Sequence, residues 1–173
     1  MKTEKLNTDI FRDMPIFGSL DKEQLETVVK YMSLEFFRAG ENIIVDGEKG
    51  DSMYFLLSGE VEISKRLTLR VSHRDFDEKD KQFIRLKSES YPFFGEMALF
   101  DKDSLRTATV TALVDCDIAE IKKNDFEELC RSDYRIGFHI LHHLIEVLCK
   151  RLDKNNKDIL KLTTAFSIAL EGN

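Results

Sequence analysis

The stretch that most constrains this chain runs from Phe93 to Val110, FFGEMALFDKDSLRTATV. Gly95 has no side chain and Ala98 only a methyl, so the backbone N–H groups of Glu96, Met97 and Ala98 can approach a ligand closely. Glu96 to Phe100 is a short run of good helix formers, and a single turn there aims unsatisfied N–H groups and a positive dipole end at an anion. Arg106 supplies a planar fork able to hold two phosphate oxygens, while Glu96 is an acceptor suited to a sugar hydroxyl. A ribose phosphate satisfies both charges. Thr107 to Val114, TATVTALV, alternates and is rich in β-branched residues, which predicts the strand that carries Arg106 away. Taken singly, these residues have plainer uses: Glu96 and Arg106 as an ion pair, Gly95 as a turn, Thr107 as a strand former. Their conjunction at this spacing is what points to a ligand.

At these positions the chain resembles the cyclic nucleotide-binding domain family, through GEMALF and then, with six residues between Leu99 and Arg106, RTATV. The resemblance implies that Gly95 and Glu96 open a phosphate-binding cassette and that Glu96 accepts the ribose 2′-hydroxyl. It also implies that Met97 and Ala98 offer backbone N–H groups and that Arg106 grips the cyclic phosphate. Thr107 is a place where several cGMP-responsive members contact guanine and many cAMP binders carry Ala or Ser, so the implied ligand is cAMP or cGMP. The family also has a Gly-rich turn before its cassette. Here Glu89, Ser90, Tyr91 and Pro92 stand instead.

The rest of the chain predicts a fold of matching type, mainly β with helices. Residues 1–18 carry a short apolar spacing that ends at Pro15, and Leu20 to Met32 reads as a helix with Asp21 and Gln24 as a capping box. From Ser33 the period becomes two. Strands are predicted at Leu34 to Arg38, Asn42 to Val45, Met53 to Leu57, Val61 to Arg66, Phe83 to Leu86 and Asp117 to Ile121. Ser72 to Lys81 reads as a solvated hairpin tip. DGEKGDSMYFLLSGEVEIS also looks like the family's β-roll, which is double-stranded β-helix or jelly-roll-like. A short helix at Lys123 to Arg131, starting near Asn124, leads to a long C-terminal helix from Tyr134 to Leu170. The implied organisation is 1–133 for the N-terminal helices and roll, with the cassette at 93–110, and 134–173 for the long helix.

Two apolar stripes run along that helix. Ile136, Ile140, Leu144 and Val147 can lie against the roll. The second, from Leu141 through Ile145, Leu148, Leu152, Asn155, Ile159, Leu162 and Phe166 to Ala169, steps alternately by four and three. That is the period of a coiled-coil seam, so a parallel homodimer is expected, the alternative being a fold-back with a break near Asn155-Asn156. Asn155 is the polar residue of the seam. In family members an Arg-Leu pair on this helix precedes polar residues that touch the purine, one from the partner subunit. Arg151-Leu152 followed by Asn155 and Asn156 therefore implies a base contact for those two amides.

Composition narrows the function classes. A 173-residue chain with 42% apolar residues and a formal charge of −6 lacks the clustered basic footprint of a nucleic-acid binder. Only three residues follow Leu170, so the helix-turn-helix of the family's activators has no counterpart there, and direct DNA binding is not expected. The three cysteines, Cys116, Cys130 and Cys149, show neither C-x-x-C nor metal spacing. They suit reduced thiols in a cytoplasmic protein with no membrane span. His139, His142 and His143 share a helical face, where surface or interface roles outweigh metal binding. No G-x-S-x-G, H-E-x-x-H or P-loop occurs, so no enzyme, metal or cofactor is expected. The chain reads as a free-standing cyclic nucleotide-binding regulatory module that signals through its C-terminal helix to an unknown effector protein. The alternative is a β-roll dimerisation module that binds no nucleotide.

Overall fold

The computed structural model describes residues 6–70, 76–101 and 105–171. Two four-stranded antiparallel sheets form a roll, and helices cover the outer face of one of them. The strands are β1 (Ser33–Phe37), β2 (Asn42–Ile44), β3 (Ser52–Ser58), β4 (Glu60–Arg70), β5 (Phe76–Lys87), β6 (Phe93–Phe94), β7 (Thr109–Ala112) and β8 (Cys116–Lys122). Their order is β1-β8-β3-β6 in one sheet and β2-β7-β4-β5 in the other. The helices are α1 (Thr8–Arg12), α2 (Lys22–Val29), α3 (Lys123–Ser132) and α4 (Tyr134–Glu171).

Alternation along the strands builds two cores. Tyr54 and Leu56 of β3 and Ile118 of β8 face inward and meet Ile44, Val61, Phe94 and Val110 between the sheets. Met53 and Phe55, with Ala119 and Ile121, face outward and are covered by Phe11, Phe17, Leu25, Val28, Leu129, Ile136, Ile140 and Leu144. A strand covered on both faces loses the polar alternation of a half-solvated one, which explains the near-continuous apolar text of β3.

Most predicted elements are found, with boundaries moved by identifiable bonds. The capping box at Asp21 and Gln24 forms through bonds of 2.9 and 3.0 Å, and α2 stops at Val29 because Lys30, Tyr31 and Met32 donate in tighter i to i−3 turns. The strand expected from Thr107 starts only at Thr109. Arg106 precedes it, and its backbone N–H donates to Glu48 O at 2.8 Å while its carbonyl accepts from Gly47 N–H at 2.8 Å. Asn124 does not start α3; Lys123 does, with its N–H tied to Asp51 O at 2.7 Å. β5 reaches back to Phe76 rather than Phe83, and residues 72–75 of the expected hairpin tip lie outside the described residues.

α4 is one unbroken helix through Asn155 and Asn156, so the fold-back with a break there does not occur. Ile136, Ile140 and Leu144 are buried against the roll, whereas Ile145, Leu152, Ile159, Leu162 and Phe166 are exposed. The exposed stripe also begins earlier than expected. Tyr134 (74% exposed) and Phe138 (64%) continue the four-three spacing backward from Leu141. Ile140→Ala should lower unfolding free energy by about 2–5 kcal/mol, while the exposed Lys154→Ala should leave the urea midpoint unmoved. Urea titration of both variants checks this, and an unmoved midpoint in Ile140→Ala would show that α4 does not belong to the core.

Candidate functional site

The cassette folds locally because of Gly95. Its φ of 77° is a left-handed conformation that side chains rarely adopt, and an added Cβ would sit 2.9 Å from Arg106 Nη1 and 3.0 Å from Ser52 O. It opens a 3₁₀ turn, Glu96–Leu99, in which Ala98 N–H donates to Gly95 O at 3.2 Å. The opening N–H groups of such a turn have no partner within it. The turn lines a cleft with about 570 Å³ of empty volume, part of it open solvent.

Arg106 forms the polar end of this cleft and is only 8% exposed. Its Nη1 donates to Ser52 O at 2.8 Å and Gly95 O at 3.3 Å, and its guanidinium lies 5.6 Å from the centroid of the Tyr54 ring. Tyr54 in turn stacks on Phe94 at 5.6 Å. Gly50 makes room: a Cβ there would fall 2.7 Å from Arg106 Cζ and Nη2. Among the described residues no carboxylate lies within ion-pair distance of Arg106. The guanidinium is thus fixed by carbonyls and a ring, none of which cancels its charge.

Glu96 is 6% exposed, but its partner is not Arg106. Arg151 of α4 donates from Nη1 to Glu96 Oε1 at 2.8 Å and from Nη2 to Phe93 O at 3.2 Å, and its guanidinium lies 5.1 Å from the Phe93 ring centroid. The ion pair imagined between Glu96 and Arg106 is therefore not made. Ser52, Glu96 and Arg106 are the buried polar side chains among the described residues, and all three belong to this one region.

Gly95, Glu96, Met97, Ala98, Arg106 and Thr107 all line the cleft, with Met97 and Thr107 exposed at its rim. Ile44, Ile63, Phe94 and Val110 give it an apolar wall. Asn155 and Asn156 are exposed on α4 and are not among the lining residues; Arg151, one turn earlier, is. In the sequence Arg151 serves only as a landmark for those amides. A signal for it exists all the same, because it lies four residues beyond Val147 and continues the stripe that faces the roll.

Burial raises the Tyr54 hydroxyl above its ordinary value of 10.0, with the Glu120 carboxylate adding to the rise and Arg106 opposing it. Burial likewise raises the Cys116 and Cys130 thiols above 9.0. The stabilisation from keeping these groups neutral is complete below their unfolded values and is lost as pH rises through the raised folded ones. His142 and His143 both approach Glu146, at 3.7 and 3.8 Å, and the described residues contain no group of three or more His, Cys, Asp or Glu side chains placed to hold a metal. No described helix is long and apolar enough to cross a membrane.

A roll of this topology with a glycine-opened cassette and a buried arginine at its end defines a cyclic nucleotide-binding fold. The family model described as cyclic nucleotide-binding domain matches residues 34–133, and the chain belongs to that family. It is 28% identical to the cAMP-activated global transcriptional regulator CRP of Pasteurella multocida over 80% of this chain and 59% of that protein. To the cAMP-dependent protein kinase regulatory subunit of Eremothecium gossypii it is 31% identical over 74% of this chain and 25% of that one. The chain thus spans less than two thirds of either relative. A cyclic nucleotide-binding domain from Methylobacillus flagellatus superposes with a TM-score of 0.71 at 20% identity, over 88% of this chain and 80% of that one, which shows the shared fold.

At pH 8 a disulfide reagent should modify the exposed Cys149 first, with Cys116 reacting only on unfolding. Timed absorbance of the released thiolate checks this, and fast native reaction of Cys116 would contradict its burial.

Proposed function

We propose that the chain is a regulatory module that binds cAMP or cGMP in this cleft and responds by repositioning α4. The observation that carries the reading is Arg106: a buried guanidinium, rigidly held, with no carboxylate partner among the described residues. Placing a cation out of water costs on the order of several kcal/mol. An incoming cyclic phosphate offsets that cost through paired, charge-assisted bonds to the fork. The opening amides of the turn at Gly95 to Ala98 add donors to the same anion.

The ribose 2′-hydroxyl would donate to Glu96, the carboxylate that Arg151 already holds. Ligand binding and the position of α4 are therefore linked through one carboxylate, and a nucleotide that alters the Glu96–Arg151 pair shifts the population of helix positions. The base would lie along the apolar wall toward α4, with Thr107 at the rim for an exocyclic group. The exposed stripe from Tyr134 to Ala169 is the surface for a parallel homodimer, with Asn155 in its seam. Asn156 flanks that seam, where pairing can bring it to the partner's cleft. The response then passes to an effector protein, and no step requires catalysis.

Calorimetric titration of the nucleotide-stripped protein with cAMP and with cGMP tests this. Saturable binding of one of them is expected, with Arg106→Ala losing about 2–5 kcal/mol. A folded, stripped sample that binds neither would overturn the sensor reading and leave a roll that serves as an interaction module.

A further inference from the structure

A second cavity lies on the other side of Arg151, with about 780 Å³ of empty volume. One wall is a face of α4 that carries His143, Val147, Lys150 and Arg151. Those residues stand at i, i+4, i+7 and i+8, so they share one side of the helix. Pro15 and Ile16 of the N-terminal 3₁₀ turn form the facing wall, closed by Ser90 to Phe93. The centre of this side of α4 is roughly opposite the exposed Ile145 and Leu152.

The lining has a definite chemistry. Three of its side chains are basic or can become so, and no carboxylate is among them. Glu146 approaches His143 Nδ1 at 3.8 Å, and Arg151 is already paired with Glu96 at 2.8 Å. Pro15, Pro92 and Phe93 add apolar lining beside these cations, and Ser90 and Tyr91 complete it. Tyr91 is the non-glycine residue with positive φ among the described ones, at φ 48° and ψ 51°. A tyrosine in that conformation is held by its surroundings, here the packing of its ring against the helical core.

We infer that this cavity is a second ligand site, for a small organic anion with a flat apolar body, coupled to the nucleotide cleft through Arg151. Charge selects the anion, and the apolar lining selects its body. Arg151 lines both cavities, and its two terminal nitrogens are committed to Glu96 Oε1 and Phe93 O. An anion in the second cavity competes for that fork and draws it from Glu96. Occupancy of the cavity is independent of the nucleotide reading; only its effect on nucleotide affinity, reciprocal by linkage, rests on it.

The test is a titration of the nucleotide-stripped, isotope-labelled full chain with 2-naphthoate, followed residue by residue through amide chemical shifts, with acetate and 2-naphthalenemethanol as controls. Saturable shifts at Tyr91, Phe93, Val147 and Lys150 are expected, with both controls at least roughly tenfold weaker. Lys150→Ala, an exposed position, should weaken naphthoate by about tenfold, the size of one charge-assisted hydrogen bond. The coupling is read without nucleotide on the Glu96 amide, which should follow the same curve in the wild type and stay still in Arg151→Ala. Shifts confined to the exposed stripe or to the Gly95–Ala98 cassette would overturn the proposal. So would equal binding of the alcohol, or Lys150→Ala without effect.

Discussion

The structure depends on an arginine held out of water with no carboxylate partner among the described residues. Arg106 is placed by its own backbone, which is bonded to the turn at Gly47 and Glu48, and its fork is anchored by the Ser52 and Gly95 carbonyls. Gly50 and Gly95 are needed because any Cβ there would collide with the guanidinium. Carbonyl oxygens orient a cation but leave its charge, and a low-dielectric wall of Ile44, Phe94 and Val110 strengthens that charge toward an anion. A roll evolved only to pack would have little use for such an arrangement, since apolar residues of similar volume are often as stable.

Glu96 shows the complementary solution. Its carboxylate is as buried as Arg106, yet a second arginine reaches it from α4, a helix that packs on the opposite side of the sheet from the inner core. Arg151 thereby joins the cassette to the long helix, through its ion pair with Glu96, its bond to Phe93 O and its place over the Phe93 ring. α4 has two unlike faces: Ile136, Ile140 and Leu144 bind it to the roll, while Tyr134, Phe138, Ile145, Leu152, Ile159, Leu162 and Phe166 face solvent. Its first half packs on the roll, and its second half is largely exposed.

Much of this was legible in the residues because the signals were local. Gly95, Glu96, Ala98 and Arg106 lie close in the chain, and short-range spacing reports short-range geometry. The capping box of α2 and the stripe of Ile136, Ile140 and Leu144 were legible for the same reason. What escaped were contacts closed over long separations. The Glu96–Arg151 pair joins residues 55 apart in sequence, and nothing near Glu96 indicates which cation reaches it. The late start of β7 follows from Arg106 bonding to Glu48 and Gly47, a tertiary tie that strand propensity at Thr107 and Ala108 does not register. Tyr91 is a similar case: a left-handed residue is expected to be glycine, and the ring packing that keeps a tyrosine there is visible only in three dimensions.

The most direct test of the account is a crystal structure of the protein grown with cAMP and, separately, with cGMP. The account predicts the cyclic phosphate within hydrogen-bond distance of the Arg106 fork and the ribose 2′-hydroxyl on Glu96. A nucleotide bound elsewhere, or one whose phosphate ignores Arg106, would contradict it.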